Sequence, residues 1–145
     1  MHQTAKKIIK NNYKEDWMNE WAKGTTGRVL FSHMSTTKAD DPIKHIERKQ
    51  QTQIFQLRVQ HVALNGHLNK FNPEHPPMCP LCKAPYETVD HILFRCPNLL
   101  DIRRKLLPVN PTTENTLYGN HTQLERTSEY FSMALSRRVE AQRLD

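Results

Sequence analysis

Cys79, Cys82, His91 and Cys96 are the residues whose types and spacing best fit a chemical task. They follow the pattern C-x2-C-x8-H-x4-C and include all three cysteines of the 145-residue chain. A two-residue spacer lets one tight knuckle aim Cys79 and Cys82 at a single point. The four-residue spacer between His91 and Cys96 suits one helical turn and a little more. Thiolates at ~2.3 Å and a neutral imidazole at ~2.0–2.1 Å complete the tetrahedral shell of Zn²⁺. One structural Zn²⁺ is therefore expected, with no coordination position left open for a substrate. The competing interpretation, three unrelated buried thiols and a surface histidine, fits poorly with three of three cysteines clustered at ligand spacing.

The elements around this set read as helices. Ile9, Tyr13, Trp17 and Trp21 recur every four residues and predict a helix from about Thr4 to Lys23 with one aromatic stripe, best explained by core packing within the chain. Gly24-Thr-Thr-Gly27 should end it, and Arg28-Val-Leu-Phe31 is expected as a short strand or extended segment. Ser32 to Asp41 reads as a linker. Pro42 then opens the next element. Ile54, Leu57, His61, Leu64, Leu68 and Phe71 are spaced 3, 4, 3, 4, 3, the seam of an amphipathic helix in which His61 would be a buried histidine and Gly66 a weak point or a split.

Prolines 73, 76 and 77 deliver the chain to the cysteine knuckle. Asn98 to Leu107 predicts a helix with Leu99, Ile102 and Leu106 inward and Arg103, Arg104 and Lys105 on or beside its outer face. Thr122-Gln-Leu-Glu125 has the form of a capping box for a last helix carrying Leu124, Phe131 and Leu135 on one face. Arg137, Arg138 and Arg143 suit the negative end of that helix. The expected fold is mostly α, helical segments around a small Cys3His module. The segments are 1–41 (Trp-containing helix and linker), 42–75 (amphipathic helix), 76–108 (zinc module) and 109–145 (connection and helix).

A hydrophobic share of 37 % and a mean hydropathy of −0.76 are low for a self-sufficient core, so metal binding should contribute folding energy. The net charge of +6 admits a polyanionic partner, RNA or DNA, but on charge alone a solvated basic surface explains it equally well. No stretch reaches the ~18–20 apolar residues of a membrane span, and no apolar leader is seen around Ile8 and Ile9. Few cysteines, arranged as ligands, suggest a reducing compartment, nucleus or cytoplasm.

Two blocks together resemble a known family. Leu57-Arg58-Val59-Gln60-His61 with Leu64-Asn65 resembles the "LRTGH…LN" segment downstream of reverse transcriptase in non-LTR retrotransposons. Cys79-Pro-Leu-Cys82, Glu87-Thr88, His91 and Cys96-Pro97 are similar to the zinc-binding "CPxC…ET..H…CP" module that follows it. The helix of Trp17 and Trp21 is similar to the segment trailing ribonuclease H in such polyproteins. The resemblance covers about Trp17 to Leu107 and implies a nucleic-acid-associated module with ligands Cys79, Cys82, His91 and Cys96. The upstream reverse transcriptase and ribonuclease H domains would be partners. Two departures stand out: Gln60 and Lys83 occupy positions where the pattern usually has glycine.

Polymerase and ribonuclease H chemistry need carboxylates converging on hard cations. The acids here are dispersed, with Asp40-Asp41 in the expected linker. The chain is therefore expected to be non-catalytic: a fragment or degenerate copy of a polyprotein, with Arg95, Arg103, Arg104 and Lys105 as phosphate contacts. Alternatives are a zinc-stapled protein-interaction module, or part of an enzyme whose catalytic domains lie elsewhere.

Overall fold

A computed structural model describes residues 2–33 and 40–144. Every regular element among the described residues is helical: α1 (His2–Lys23), α2 (Arg28–His33), a 3₁₀ turn (Pro42–His45), α3 (Arg48–Arg58), α4 (Asn65–Phe71), a π turn (His91–Arg95), a second 3₁₀ turn (Pro97–Leu99), α5 (Leu100–Leu106), α6 (Thr113–Leu117) and α7 (His121–Leu144). The chain forms two compact units, Met1–Ala39 and Asp40–Asp145.

In the first unit α1 ends as the sequence suggests, but Gly27 (φ 65°) rather than Gly24 takes the left-handed turn. Arg28-Val-Leu-Phe31 is helical, correcting the expected strand. The Phe31 amide donates to the Gly27 carbonyl at 2.9 Å, and the Phe31 ring meets Trp21 edge-on at 4.9 Å, so a turn serves the aromatic contact better than extension. The Arg28 guanidinium lies over Phe31 at 4.6 Å and donates to the carbonyls of Trp21, Ala22 and Thr26 at the end of α1. The rest of the aromatic stripe is exposed, Tyr13 at 72 % and Trp17 at 51 %, although Trp17 and Trp21 stack at 4.9 Å. The expected linker contributes Ser32 and His33 to α2, and its residues 34–39 lie outside the described residues.

The second unit has one hydrophobic core. Ile54 and Leu57 of α3, Leu64, Val89, Ile92, Leu93, Leu99, Ile102, Leu106, Leu117, and Leu124, Tyr130, Phe131 and Ala134 of α7 are all buried in it. Segments 42–75, 76–108 and 109–145 therefore pack as one body, with α7 against α3, α5 and α6. The long helix expected over 54–71 is broken. α3 stops at Arg58, Gln60 turns left-handed (φ 59°), and Leu64 is extended (ψ 153°) before α4 starts. The 3–4 spacing of Ile54, Leu57, Leu64 and Leu68 is satisfied by a helix–turn–helix instead. His61 and Phe71 pay no part in the seam; both are exposed, which corrects the buried-histidine assignment.

Arg58, the last residue of α3, is tied to distant segments. It is buried, donates to Asp41 at 2.6 and 3.1 Å and to the Leu117 carbonyl at 2.7 Å, and lies 4.5 Å over the Tyr118 ring. Asp41, expected in a linker, thus caps the first 3₁₀ turn and ties it to α3 and α6. Burial opposes its ionisation, but hydrogen bonds from Arg58 and Ile43, with the Arg58 charge, hold its carboxyl below the usual range. The capping box of α7 lies two residues earlier than expected: Asn120 and Gln123 exchange backbone-to-side-chain bonds of 2.9 Å each.

Candidate metal centre

The knuckle is built first. The Cys79 amide donates to the Ala84 carbonyl and the Lys83 amide to the Cys79 carbonyl, both at 2.9 Å, which folds Cys82 back toward Cys79. Lys83 has φ 60°. Gln60 and Lys83, the two departures from glycine in the sequence pattern, are the two non-glycine residues with positive φ among the described residues. Each side chain is held in the left-handed region at a cost of ~1–2 kcal/mol.

His91 and Cys96 come from the next turn. Thr88 Oγ1 accepts from the His91 amide at 3.1 Å and starts that turn. In an α-helix, residues five apart project about 140° apart. Here the Cys96 amide donates to the His91 carbonyl at 2.8 Å, the wider π closure, which brings Cys96 back to the side of His91. The metal-binding atoms of Cys79, Cys82, His91 and Cys96 all lie within 4.8 Å of one another, with Cys82 Sγ 3.3 Å from His91 Nε2. A tetrahedral zinc shell has S···N and S···S edges of ~3.5–3.8 Å. The donor set therefore fits one Zn²⁺.

Electrostatics agree. Burial pushes the Cys79 thiol up, and burial together with the neighbouring cysteines pushes Cys96 up to about 12. Burial likewise lowers His91, which keeps its imidazole neutral at pH 7 and able to ligate. Packed neutral thiols become thiolates when a cation takes the charge, so loading this cluster with Zn²⁺ would release their protons.

The supporting contacts reach well beyond the ligand loop. Glu87, fully buried, accepts from Arg138 of α7 at 2.5 and 2.8 Å and from the Asn65 amide at 2.6 Å. The Gly66 amide donates to the Glu87 carbonyl at 3.0 Å. A Cβ on Gly66 would lie 2.4 Å from that oxygen, so this glycine permits a close approach rather than weakening a helix.

Arg103 is a correction. It does not face outward: it is buried and donates to the carbonyls of Leu93, Cys96 and Ile92 at 2.8, 3.0 and 3.3 Å. Tyr130 of α7 also donates to the Ile92 carbonyl, at 2.6 Å. A guanidinium at these carbonyls satisfies the open end of the π turn that presents His91 and Cys96. Arg95, Arg104 and Lys105 are exposed, Arg95 being paired with Asp90 at 2.7 Å. Arg138 and Arg137 are likewise more than favourable charges at a helix end, since Arg137 bonds Asp101 of α5 at 2.5 and 2.7 Å. Sequence spacing picked out the four residues whose donor atoms the structure brings together. It missed Glu87, Arg103, Tyr130 and Arg138 as a supporting set, although the Glu87-Thr88 pair of the motif pointed to one of them.

Comparisons with curated proteins and with solved structures return no match. The family described as zinc-binding in reverse transcriptase matches residues 4–102, more than half of the chain and all four candidate ligands. With that match and a Cys3His cluster of the right composition and spacing, the chain belongs to the reverse-transcriptase zinc-binding family.

Proposed function

We propose that this chain is a non-catalytic, nucleic-acid-associated zinc module from the C-terminal end of a non-LTR retrotransposon polyprotein, present as a fragment or degenerate copy. Cys79, Cys82, His91 and Cys96 hold one Zn²⁺, which fixes the knuckle and the π turn and supplies folding energy rather than Lewis-acid chemistry, because four protein ligands leave no open position. The work of the module is to hold RNA or DNA beside the reverse transcriptase and ribonuclease H domains of the parent, in a reducing compartment where the thiols stay free. No described helix is long and apolar enough to cross a membrane.

The observation that carries the reading is a family match to zinc-binding in reverse transcriptase together with exposed basic residues beside and after the ligand loop. Arg95, next to Cys96, and Arg104 and Lys105 of α5 are exposed in a chain of net charge +6. Arg103 drops out of the contact set because its guanidinium is spent on carbonyls. The test is fluorescence anisotropy of the zinc-loaded chain with labelled RNA and DNA across a salt series. Affinity should fall steeply with salt, and R104E/K105E should weaken binding and flatten the salt slope by roughly two contacts. Salt-independent binding, or none at low salt, overturns the reading.

One observation favours a second reading, a protein-interaction module: Ile9, Tyr13 and Trp17 of α1 are each more than half exposed along one stripe. A change in oligomeric state on substituting Trp17 would support it.

A further inference from the structure

A second candidate site lies on the second unit, beside α4, and shares no lining residue with α5. A cavity of about 100 Å³ opens beside α4, with Val62, Leu64 and Val89 as apolar lining and His67, Lys70 and Tyr86 as its polar and aromatic lining. Glu87 also borders it, but its carboxylate is engaged by Arg138 and the Asn65 amide. Tyr86 is fixed, its hydroxyl donating to Asn69 Oδ1 at 3.2 Å and its ring lying against Gly66, while 45 % of it stays exposed. His61 and His67 sit 5.0 Å apart between ring centroids, and the exposed Phe71 meets His67 edge-on at 5.1 Å. Burial, then the charges of His61 and Lys70, lower His67, so at neutral pH its ring is uncharged and can donate or accept.

A rigid, half-exposed tyrosine beside a small apolar hollow, a lysine and a neutral imidazole offers the groups that a base and its phosphate would meet at a surface. The ring offers a stacking face, the His67 imidazole a hydrogen bond to a base edge, and the Lys70 ammonium meets a phosphate. We infer that this hollow takes one unstacked nucleotide of a single strand, its base on Tyr86 and its phosphate at Lys70. The inference rests on the nucleic-acid reading above and makes it specific: single strands are preferred over duplexes, and the contact is separate from Arg104 and Lys105.

The test uses the full zinc-loaded chain and labelled 15-nucleotide single strands of RNA and of DNA, with blunt duplexes of each as controls. Y86A should lower single-strand affinity about tenfold, with duplex binding unchanged, and Y86F should restore it, since stacking on an aromatic ring is lost and regained. K70Q, at an exposed position, should reduce the salt slope by about one. Zinc content and far-UV circular dichroism check folding, and if Y86A fails to fold, Y86F and K70Q carry the test. Wild-type binding that neither Y86A nor K70Q weakens on single strands overturns this site while leaving the basic face standing. A wild-type chain that binds no strand at low salt overturns both. RNA-only or DNA-only loss in Y86A supports the site and assigns its strand type.

Discussion

Removing Arg138 tests whether α7 is part of the zinc unit or an appendage to it. Glu87 is fully buried and Arg138 is 6 % exposed, and they meet through two hydrogen bonds of 2.5 and 2.8 Å. Arg138→Met leaves a buried carboxylate whose remaining contact in the structure is the Asn65 amide. Breaking one partner of such a pair costs about 3–5 kcal/mol, whereas replacing both by apolar residues is far milder. Against a domain stability of roughly 5–15 kcal/mol, that loss should lower the melting temperature of a unit of about a hundred residues by 12 °C or more. Glu87 lies between Cys82 and His91, so zinc affinity should fall in parallel, by roughly two orders of magnitude if binding is coupled to folding. The assay is urea unfolding of the zinc-loaded wild type, E87L, R138M and E87L/R138M, with zinc affinity by chelator competition. Both single variants should lose about 3 kcal/mol or more, and the double variant should recover much of it. A loss under about 1 kcal/mol in R138M, or additive losses in the double, would refute the coupling.

Two further outcomes follow from the site. Cys79 and Cys96 hold their protons in the metal-free fold, so zinc binding at pH 7 should release one proton from each; an indicator-dye titration counting fewer than two per zinc contradicts this. His91 is lowered in the folded state, so the unfolded chain binds more protons below about pH 6.5 and stability should fall as pH drops through that range; an apo chain equally stable at pH 7 and 5.5 argues against it. At the backbone, Lys83→Gly should be neutral or stabilising by about 0.5 kcal/mol as left-handed strain is exchanged for chain entropy. Gly66→Ala should cost about 1–3 kcal/mol through its clash with the Glu87 carbonyl and the Tyr86 ring. Thermal melts should show a loss for Gly66→Ala and none for Lys83→Gly, and a loss in both would sink the backbone argument.

The four candidate ligands were legible in the sequence because metal coordination is a local demand: donor types and short spacers are written consecutively between Cys79 and Cys96. Helices at 4–23 and in α7 were legible for the same reason, since 3.6-residue periodicity is local. Even the two strained backbone positions, Gln60 and Lys83, showed as departures from a glycine pattern. What the sequence left undecided depends on distant partners. The apolar spacing from Ile54 to Phe71 is consistent with one helix or two, and the buried Arg58, bonded to Asp41 and Leu117, accompanies the second choice. Arg103 and Arg104 are adjacent and chemically alike, yet one is spent on the carbonyls of the π turn and the other faces solvent, because only packing against Tyr130 and the π turn separates them. Likewise Arg138, beyond the residues that match the family, meets Glu87 inside the ligand loop. Local spacing marked the candidate metal site, and burial of charge across distant segments, which no short-range pattern records, decided what supports it.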